Sequence, residues 1–270
     1  LHMSKIETIN FFSENYGCRS CFNNSQIRKN FQPFQLANIE GPQPRWIGKN
    51  YFESQKKICL MLINPGSGPN TPDHEWEPLK LLSQEKSENR KIDLWEQLME
   101  VNKKGMPQWG YWESLYLDRF GFNDRDKLDE ICFMNKMLCA AWHPNKEGKL
   151  ENAYNPRSLE NCFKRQSSSL LKILSPKNLI FSGKETIASI LKKPKELSMS
   201  EVNSSKDLSL KNFRKSLGPN SRELDPSDVK DEIRICLDHD ARYFFMGHYG
   251  RSVSGEDYND VDIIRGQIGI

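Results

Sequence analysis

Long apolar runs are missing from this sequence. No stretch of about 18 consecutive apolar residues occurs, so we expect no transmembrane helix. The opening residues, "LHMSKIETINFF", lack the basic-then-apolar pattern of a secretory signal. We interpret "LHM" as a cloning remnant, with Met3 as the native start. Without a signal, the seven cysteines are expected in a reducing cytoplasm, which argues against structural disulfides.

A large excess of either charge is also missing. The formal net charge is +3, a mild basic balance that permits nucleic-acid binding without requiring it. Hydrophobic residues make up 37% of the 270 positions and charged residues 28%, which is enough for a sizeable core. We expect a single domain over residues 1–270, acting as a monomer with no membrane partner.

Four nearly continuous apolar runs predict strands buried on both faces. Helical patterns lie between them, and this alternation predicts an α/β fold. We expect a three-layer αβα sandwich around a central, mostly parallel four-stranded sheet. The polar residues 194–232 are interpreted as an insertion on that domain. The four runs cover residues 56–64, 130–135, 176–183 and 242–248.

Polar residues follow each predicted strand, where ligands bind in open parallel sheets. The third strand leads into a predicted helix whose free N–H groups could receive a phosphate. Four polar strand ends at one sheet edge are more informative than any one of them. They are Asn64, Pro65 and Gly66 at the end of the first run, Asn135 at the end of the second, Ser182, Gly183 and Lys184 at the end of the third, and His248 with Arg251 at the end of the fourth.

The cysteines divide into two kinds. Cys59 and Cys132 lie inside strand runs and are expected to be small core residues, and Cys236 is also interpreted as structural. Cys18 and Cys21 form a C-x-x-C pair, which can be a redox disulfide, part of a zinc site or half of an iron–sulfur site.

In this order, the residues resemble the uracil-DNA glycosylase superfamily, and in particular its iron–sulfur branch. That branch opens with C-x-x-C and continues with a Pro-Gly loop after a strand, as "NPG" does here. A strand then ends in Asn with Cys four residues on, and another Cys opens the following helix in "ENCFKRQ". The segment "PKNLIFSGKETIASIL" and a final strand ending in His complete the likeness, which runs over roughly residues 18–255.

The resemblance implies a [4Fe–4S] cluster that staples the N-terminal segment to the segment after the second strand. Spacing alone leaves a zinc site equally open, because four cysteines suit either. Nothing in the sequence indicates a redox step for the cluster. The implied ligands are Cys18, Cys21, Cys139 and Cys162.

The resemblance also implies a monofunctional DNA glycosylase acting on a base flipped out of DNA. His248 would stabilise the departing base, and Asn64 would orient the attacking water through its side-chain carbonyl. Asn135 would read the edge of the base, with Trp76 stacking on its face. Pro65 and Gly66 would line the same pocket. The implied DNA contacts are Ser182, Gly183, Lys184, Tyr249 and Arg251.

Two departures from the family pattern leave the substrate open. The iron–sulfur branch often carries an acid where this chain has Asn64, and an amide does not accept a proton near neutral pH. The usual His-Pro-Ser loop reads His248-Tyr249-Gly250, with Tyr249 or Arg251 as possible wedge or phosphate contact. The alternatives are a glycosylase for another modified base, such as a modified cytosine in foreign DNA, a non-catalytic iron–sulfur DNA-binding relative, and an unrelated α/β protein with structural zinc.

Overall fold

The computed structural model describes most of the chain, and the statements below concern only that part. The described residues are 3–21, 23, 41–63, 76–105, 118–122, 125–139, 142–144, 147, 150–152, 156–193, 213–247 and 255–270.

The main sheet is mixed and has six strands in the order β1-β3-β2-β6-β8-β7. The pairs β2–β6 and β6–β8 are parallel, whereas β7 runs antiparallel to β8. A separate antiparallel pair joins β4 to β5. The strands are β1 (Trp46–Ile47), β2 (Ile58–Leu62), β3 (Ile131–Asn135), β4 (Trp142–Pro144), β5 (Leu150–Asn152), β6 (Asn178–Ser182), β7 (Glu223–Leu224) and β8 (Arg242–Met246).

The α/β class is confirmed, and each of the four predicted runs contains a strand of the main sheet: β2, β3, β6 and β8. The prediction of a mostly parallel four-stranded sheet was wrong in its strand count and in omitting the antiparallel edge. The reason is length: β1 and β7 have two residues each, too few to produce an apolar run or an alternating pattern.

Helices lie between the strands, as the alternation predicts. Within the described residues, no helix combines the length and apolar character needed to cross a membrane. The α-helices are Met3–Glu14, Trp76–Gln84, Glu88–Gly105, Asp118–Phe120, Arg125–Leu128, Pro156–Cys162, Ser168–Leu174, Lys184–Ile190, Asp231–Arg234 and Gly255–Ile268, with a π-helix at Phe163–Ser167, a 3₁₀ turn at Pro226–Asp228 and a further helical segment at 213–217.

The strands β2, β3, β6 and β8 form in the most apolar parts of the chain because both of their faces are covered. Every residue of β3 and β6 is buried, as are the first four of β2. Cys59 in β2 and Cys132 in β3 are fully buried, which confirms them as core residues. Cys236 is also buried, and its thiol donates to the carbonyl of Glu232 at 3.2 Å.

The chain divides into two compact units, each drawn from segments that alternate along the sequence. Unit 1 comprises 1–47, 64–106 and 134–174, and in it Phe12 stacks on Trp95 with ring centroids 5.5 Å apart. Unit 2 comprises 48–63, 107–133 and 175–270, and in it Phe181 stacks on Tyr243 at 6.4 Å. The single domain over 1–270 stays a prediction.

The segment 194–232 contributes to unit 2 wherever it is described. Phe213, Leu224 and Val229 are buried, and Leu224 of β7 pairs with Tyr243 of β8. Each of these apolar residues has polar neighbours in the sequence. The composition of the segment therefore does not indicate that parts of it pack into the core. Residues 194–212, the first half of the predicted insertion, lie outside the described residues.

Candidate functional site

The C-x-x-C pair follows directly from the end of the helix Met3–Glu14. Asn15 ends that helix, with both its backbone N–H and its side-chain amide donating to the carbonyl of Phe11. Gly17 has φ +79°, a value that suits glycine, and the N–H of Cys18 then donates to the carbonyl of Asn15 at 3.2 Å. This turn leaves Cys18 half-buried and leads to Cys21, which is 7% exposed.

Cys139 and Cys162 come from two other parts of unit 1. Cys139 lies four residues after the end of β3, and Cys162 is the last residue of the helix Pro156–Cys162. Both are buried. The hydroxyl of Ser167, in the π-helix, donates to the carbonyl of Lys136 at 2.6 Å and so ties the two segments together.

The four cysteines predicted as ligands are electrostatic neighbours. The pKa of Cys139 is raised, first because its thiol donates a hydrogen bond to Cys162, then by burial, and then by the charges of the other three cysteines. The pKa of Cys162 is lowered, first by that same hydrogen bond. Cys162 is therefore the more easily ionised thiol of this pair. Burial, followed by smaller effects of Cys162 and Cys18, raises the pKa of Cys21 to about 11.

Nitrogen donors surround these sulfurs. The backbone N–H of Leu138 lies 3.3 Å from Cys162 Sγ, the side-chain amide of Asn161 lies 3.1 Å from Cys21 Sγ, and that of Gln166 lies 3.5 Å from Cys18 Sγ. Arg165 donates to the Asn161 oxygen at 3.2 Å, which turns the amide nitrogen toward the sulfur. Such hydrogen bonds stabilise the thiolate form that metals require.

The four cysteines and the N–H groups around them fit a cofactor that is bound by thiolates better than they fit four unliganded thiols. Four ionised thiols would repel one another in a buried space, and a cation among them removes that cost. Within the described part of the chain, however, no three His, Cys, Asp or Glu side chains are arranged to hold a metal ion. Cys139 and Cys162 instead hydrogen-bond each other directly. A [4Fe–4S] cluster and a zinc ion both use four cysteines.

Asn135 lies at the carboxyl end of β3, four residues before Cys139. The residue is 2% exposed, and within the described part of the chain its amide nitrogen has no hydrogen-bond partner. Buried amides are normally paired, and an unpaired one calls for an explanation. Asn135 and Cys139 lie on the same segment, which the Ser167 bond to the Lys136 carbonyl ties to the π-helix.

In unit 2, Gly183 follows β6 with φ +94° and donates its N–H to the carbonyl of Met246 at 3.1 Å. Ser182 and Lys184 on either side are 2% and 7% exposed. A DNA phosphate could reach these side chains only if the complex exposes them. The seven-residue helix Lys184–Ile190 begins here, as the sequence predicts.

Several predicted site residues are not described. Trp76 begins the helix Trp76–Gln84, but its side chain lies outside the description. Also outside it are Asn64, Pro65, Gly66, His248, Tyr249 and Arg251.

Sequence reasoning missed the residues that hydrogen-bond the sulfurs. Asn161 adjoins Cys162, and Gln166 lies four residues after it, but an amide near a cysteine carries no recognisable signal. The π-helix Phe163–Ser167, which brings Gln166 and Ser167 to the cysteines, has no sequence signature either. Such π segments occur often at functional sites.

Comparison with known proteins adds no family to this geometry. No family model matches the chain, and no curated protein matches it in sequence.

Proposed function

We propose that the protein is a DNA glycosylase that hydrolyses the N-glycosidic bond of uracil or a related altered base flipped out of DNA. The observation that carries the proposal is the proximity of Cys18, Cys21, Cys139 and Cys162. These cysteines come from three separate segments of the sequence, and the resemblance groups them as cluster ligands. Added support comes from Asn135, whose buried amide nitrogen is unpaired at the end of β3.

The four cysteines are proposed to hold a [4Fe–4S] cluster, with zinc as the alternative. The bound group would cross-link the turn after the first helix, the segment after β3 and the end of the helix Pro156–Cys162. This linkage would keep the carboxyl end of β3 in place. The role given to the cluster is structural, and no chemical step passes through it.

Asn135 is proposed to read the base. Its side chain offers one acceptor and one donor side by side, which matches the O4 and N3–H of uracil in one orientation of the amide. The opposite orientation would match the edge of cytosine. An amide nitrogen with no partner among the described residues can be satisfied by a substrate, because burial makes leaving it unpaired costly.

The remaining steps are assigned to residues outside the description. His248 would donate a hydrogen bond to the base as the glycosidic electron pair moves onto it, which stabilises the anion that leaves. Asn64 would orient a water molecule whose oxygen bonds to the sugar carbon, with its proton lost to solvent. Tyr249 and Arg251 would contact the DNA backbone or fill the vacated stack.

The test is base release from a panel of oligonucleotides that contain uracil, hypoxanthine or modified cytosines, each single- and double-stranded. Alkaline cleavage of abasic sites gives the readout. Release of one base would establish the enzyme and identify what Asn135 reads. Release of none, by protein that carries its iron in stoichiometric amount, would refute the proposed activity in favour of a non-catalytic DNA binder.

A further inference from the structure

A fully buried carboxylate lies at the centre of a polar cluster in unit 2. Asp260, in the C-terminal helix Gly255–Ile268, is 0% exposed. Arg214 donates to both of its oxygens, with Nε 2.9 Å from Oδ1 and 3.1 Å from Oδ2, and Arg222 donates to Oδ1. Both arginines are buried as well.

Asp260 also binds the main chain at the end of β8. Its Oδ2 accepts a hydrogen bond from the backbone N–H of Gly247 at 2.9 Å. Gly247 follows Met246, the last residue of β8, and directly precedes His248 in the sequence. The carbonyl of Met246 accepts a hydrogen bond from the N–H of Gly183 at 3.1 Å. Both polar groups of the Met246–Gly247 peptide are therefore hydrogen-bonded.

Phe245 of β8 packs against both segments that carry the arginines. Phe213, next to Arg214, packs on Phe245 with ring centroids 4.6 Å apart. The guanidinium of Arg222 lies 5.7 Å from the centroid of the same Phe245 ring, and it also donates to the carbonyl of Ser221 at 2.6 Å. The carboxylate therefore has little freedom to move away from Gly247.

Stability alone gives a weak reason for such a cluster, because apolar side chains often replace buried ion pairs without loss. What an apolar side chain could not supply is an acceptor for the Gly247 N–H. We propose that Asp260 is a positioning residue, which holds the backbone at Gly247 and thereby places His248 for donation to the departing base. The inference rests on the proposed function only in the role given to His248.

The first experiment measures hydrogen exchange at the Gly247 amide. In Asp260→Asn the side chain keeps one acceptor oxygen, for which the two arginines compete, and the NH₂ group that replaces the other oxygen cannot accept from Gly247. Asp262→Asn is the matched control, since Asp262 lies on the same helix and pairs with Arg119 on an exposed surface. We expect the Gly247 amide to exchange roughly tenfold faster or more in Asp260→Asn alone. Unchanged protection there would overturn the anchor.

A second variant guards against misfolding. Asp260→Asn removes the carboxylate that pairs with two buried arginines, whereas Asp260→Asn combined with Arg214→Met restores the net charge of +1 that the three native side chains carry. This double variant takes away one of the two acceptor oxygens while matching the buried charge. It is expected to show the same faster exchange at Gly247, and protection equal to that of the native chain would overturn the proposal.

The second experiment separates positioning from general damage. Single-turnover release is measured for uracil and for 5-fluorouracil, a better leaving group that needs less help from a donor. We expect Asp260→Asn to lose roughly tenfold or more with uracil and clearly less with 5-fluorouracil. Equal losses would refute a role through His248. If the native protein releases no base, the proposed function fails and this role with it, while the exchange data still decide whether Asp260 anchors Gly247.

Discussion

The side-chain amide of Asn161 donates a hydrogen bond to the sulfur of Cys21 across 3.1 Å, and Arg165 holds that amide by donating to its oxygen at 3.2 Å. The three residues form a chain from the guanidinium to the thiol. The arginine also lowers the pKa of Cys21, although burial outweighs it. This arrangement favours a thiolate at a position where burial alone would oppose one, which is what a metal ligand requires.

Replacing Asn161 with Ala is therefore expected to make a bound iron–sulfur cluster harder to reduce. Hydrogen bonds to the sulfurs raise the reduction potential of such clusters by stabilising the extra negative charge. The potential is measured by redox titration followed by electron paramagnetic resonance. Glu160→Ala is the matched control, because Glu160 is the exposed neighbour on the same helix. Equal potentials in the two variants would contradict a role for the Asn161–Cys21 bond.

Replacing Cys18 or Cys139 with Ser is expected to reduce the yield of folded protein and abolish the brown colour. A hard hydroxyl is a poor substitute for a soft thiolate toward iron. Cys236→Ser provides the control, because Cys236 is a buried cysteine of unit 2, outside the cysteine group, whose thiol donates to the carbonyl of Glu232 at 3.2 Å. The measurements are iron and sulfide content and absorbance in the visible range. A colourless native protein with one zinc per chain would instead identify the zinc alternative.

The sequence predicted the parts of the fold that long apolar patterns encode. The runs that contain β2, β3, β6 and β8 are recognisable in the sequence because strands covered on both faces must be apolar throughout. The edge strands β1 and β7 could not be predicted from the sequence, since a strand of two residues leaves no pattern. Leu224 of β7 is buried among polar neighbours, so its place in the sheet depends on contacts that are distant in the chain.

In the candidate site, too, some residues could be predicted from the sequence and others could not. Cysteines are few and chemically distinctive, so the grouping of Cys18 with Cys139 and Cys162 could be predicted from a family resemblance. The side chains that hold them could not, because Asn161 and Gln166 are ordinary polar residues whose role arises only from how the helix and the π-helix meet. Asp260 is another such case, since nothing in its local sequence distinguishes it from Asp262.

Gly41 packs against the turn that precedes Cys18, which makes it a sensitive probe of that turn. A Cβ at Gly41 would lie 2.8 Å from the backbone nitrogen of Gly17 and 2.9 Å from the carbonyl oxygen of Asn15. Gly41→Ala is expected to reduce the free energy of unfolding by more than the roughly 1–3 kcal/mol of backbone strain alone, and to reduce iron content. Urea denaturation and iron analysis provide the two measurements.

Gly218→Ala is the control that separates steric clash from backbone strain. Gly218 has φ +92°, close to the +97° of Gly41, but a Cβ there would meet nothing within 4 Å. It should therefore show the strain alone and leave the iron content unchanged. Equal losses of stability in the two variants would mean that the turn before Cys18 adjusts to a methyl group at Gly41.

Asn135→Ala is expected to separate activity from stability. Among the residues that the structure describes, the amide nitrogen of Asn135 has no partner to lose, so the free energy of unfolding should change by no more than about 1 kcal/mol. Base release should fall by roughly 100-fold or more, because the base would lose the group that reads its edge in the transition state. The measurements are urea denaturation and single-turnover release of the preferred base.

Asn178→Ala is the matched control, since Asn178 is a buried asparagine at the opposite end of a strand, the start of β6. Its side-chain amide donates to the carbonyl of Lys56 at 2.6 Å, so its loss should lower stability by about 1–3 kcal/mol. Release per folded molecule should stay at the native rate. An Asn135→Ala protein that releases the base at the native rate would remove Asn135 from the mechanism, and one that is as destabilised as Asn178→Ala would show that its amide is structural.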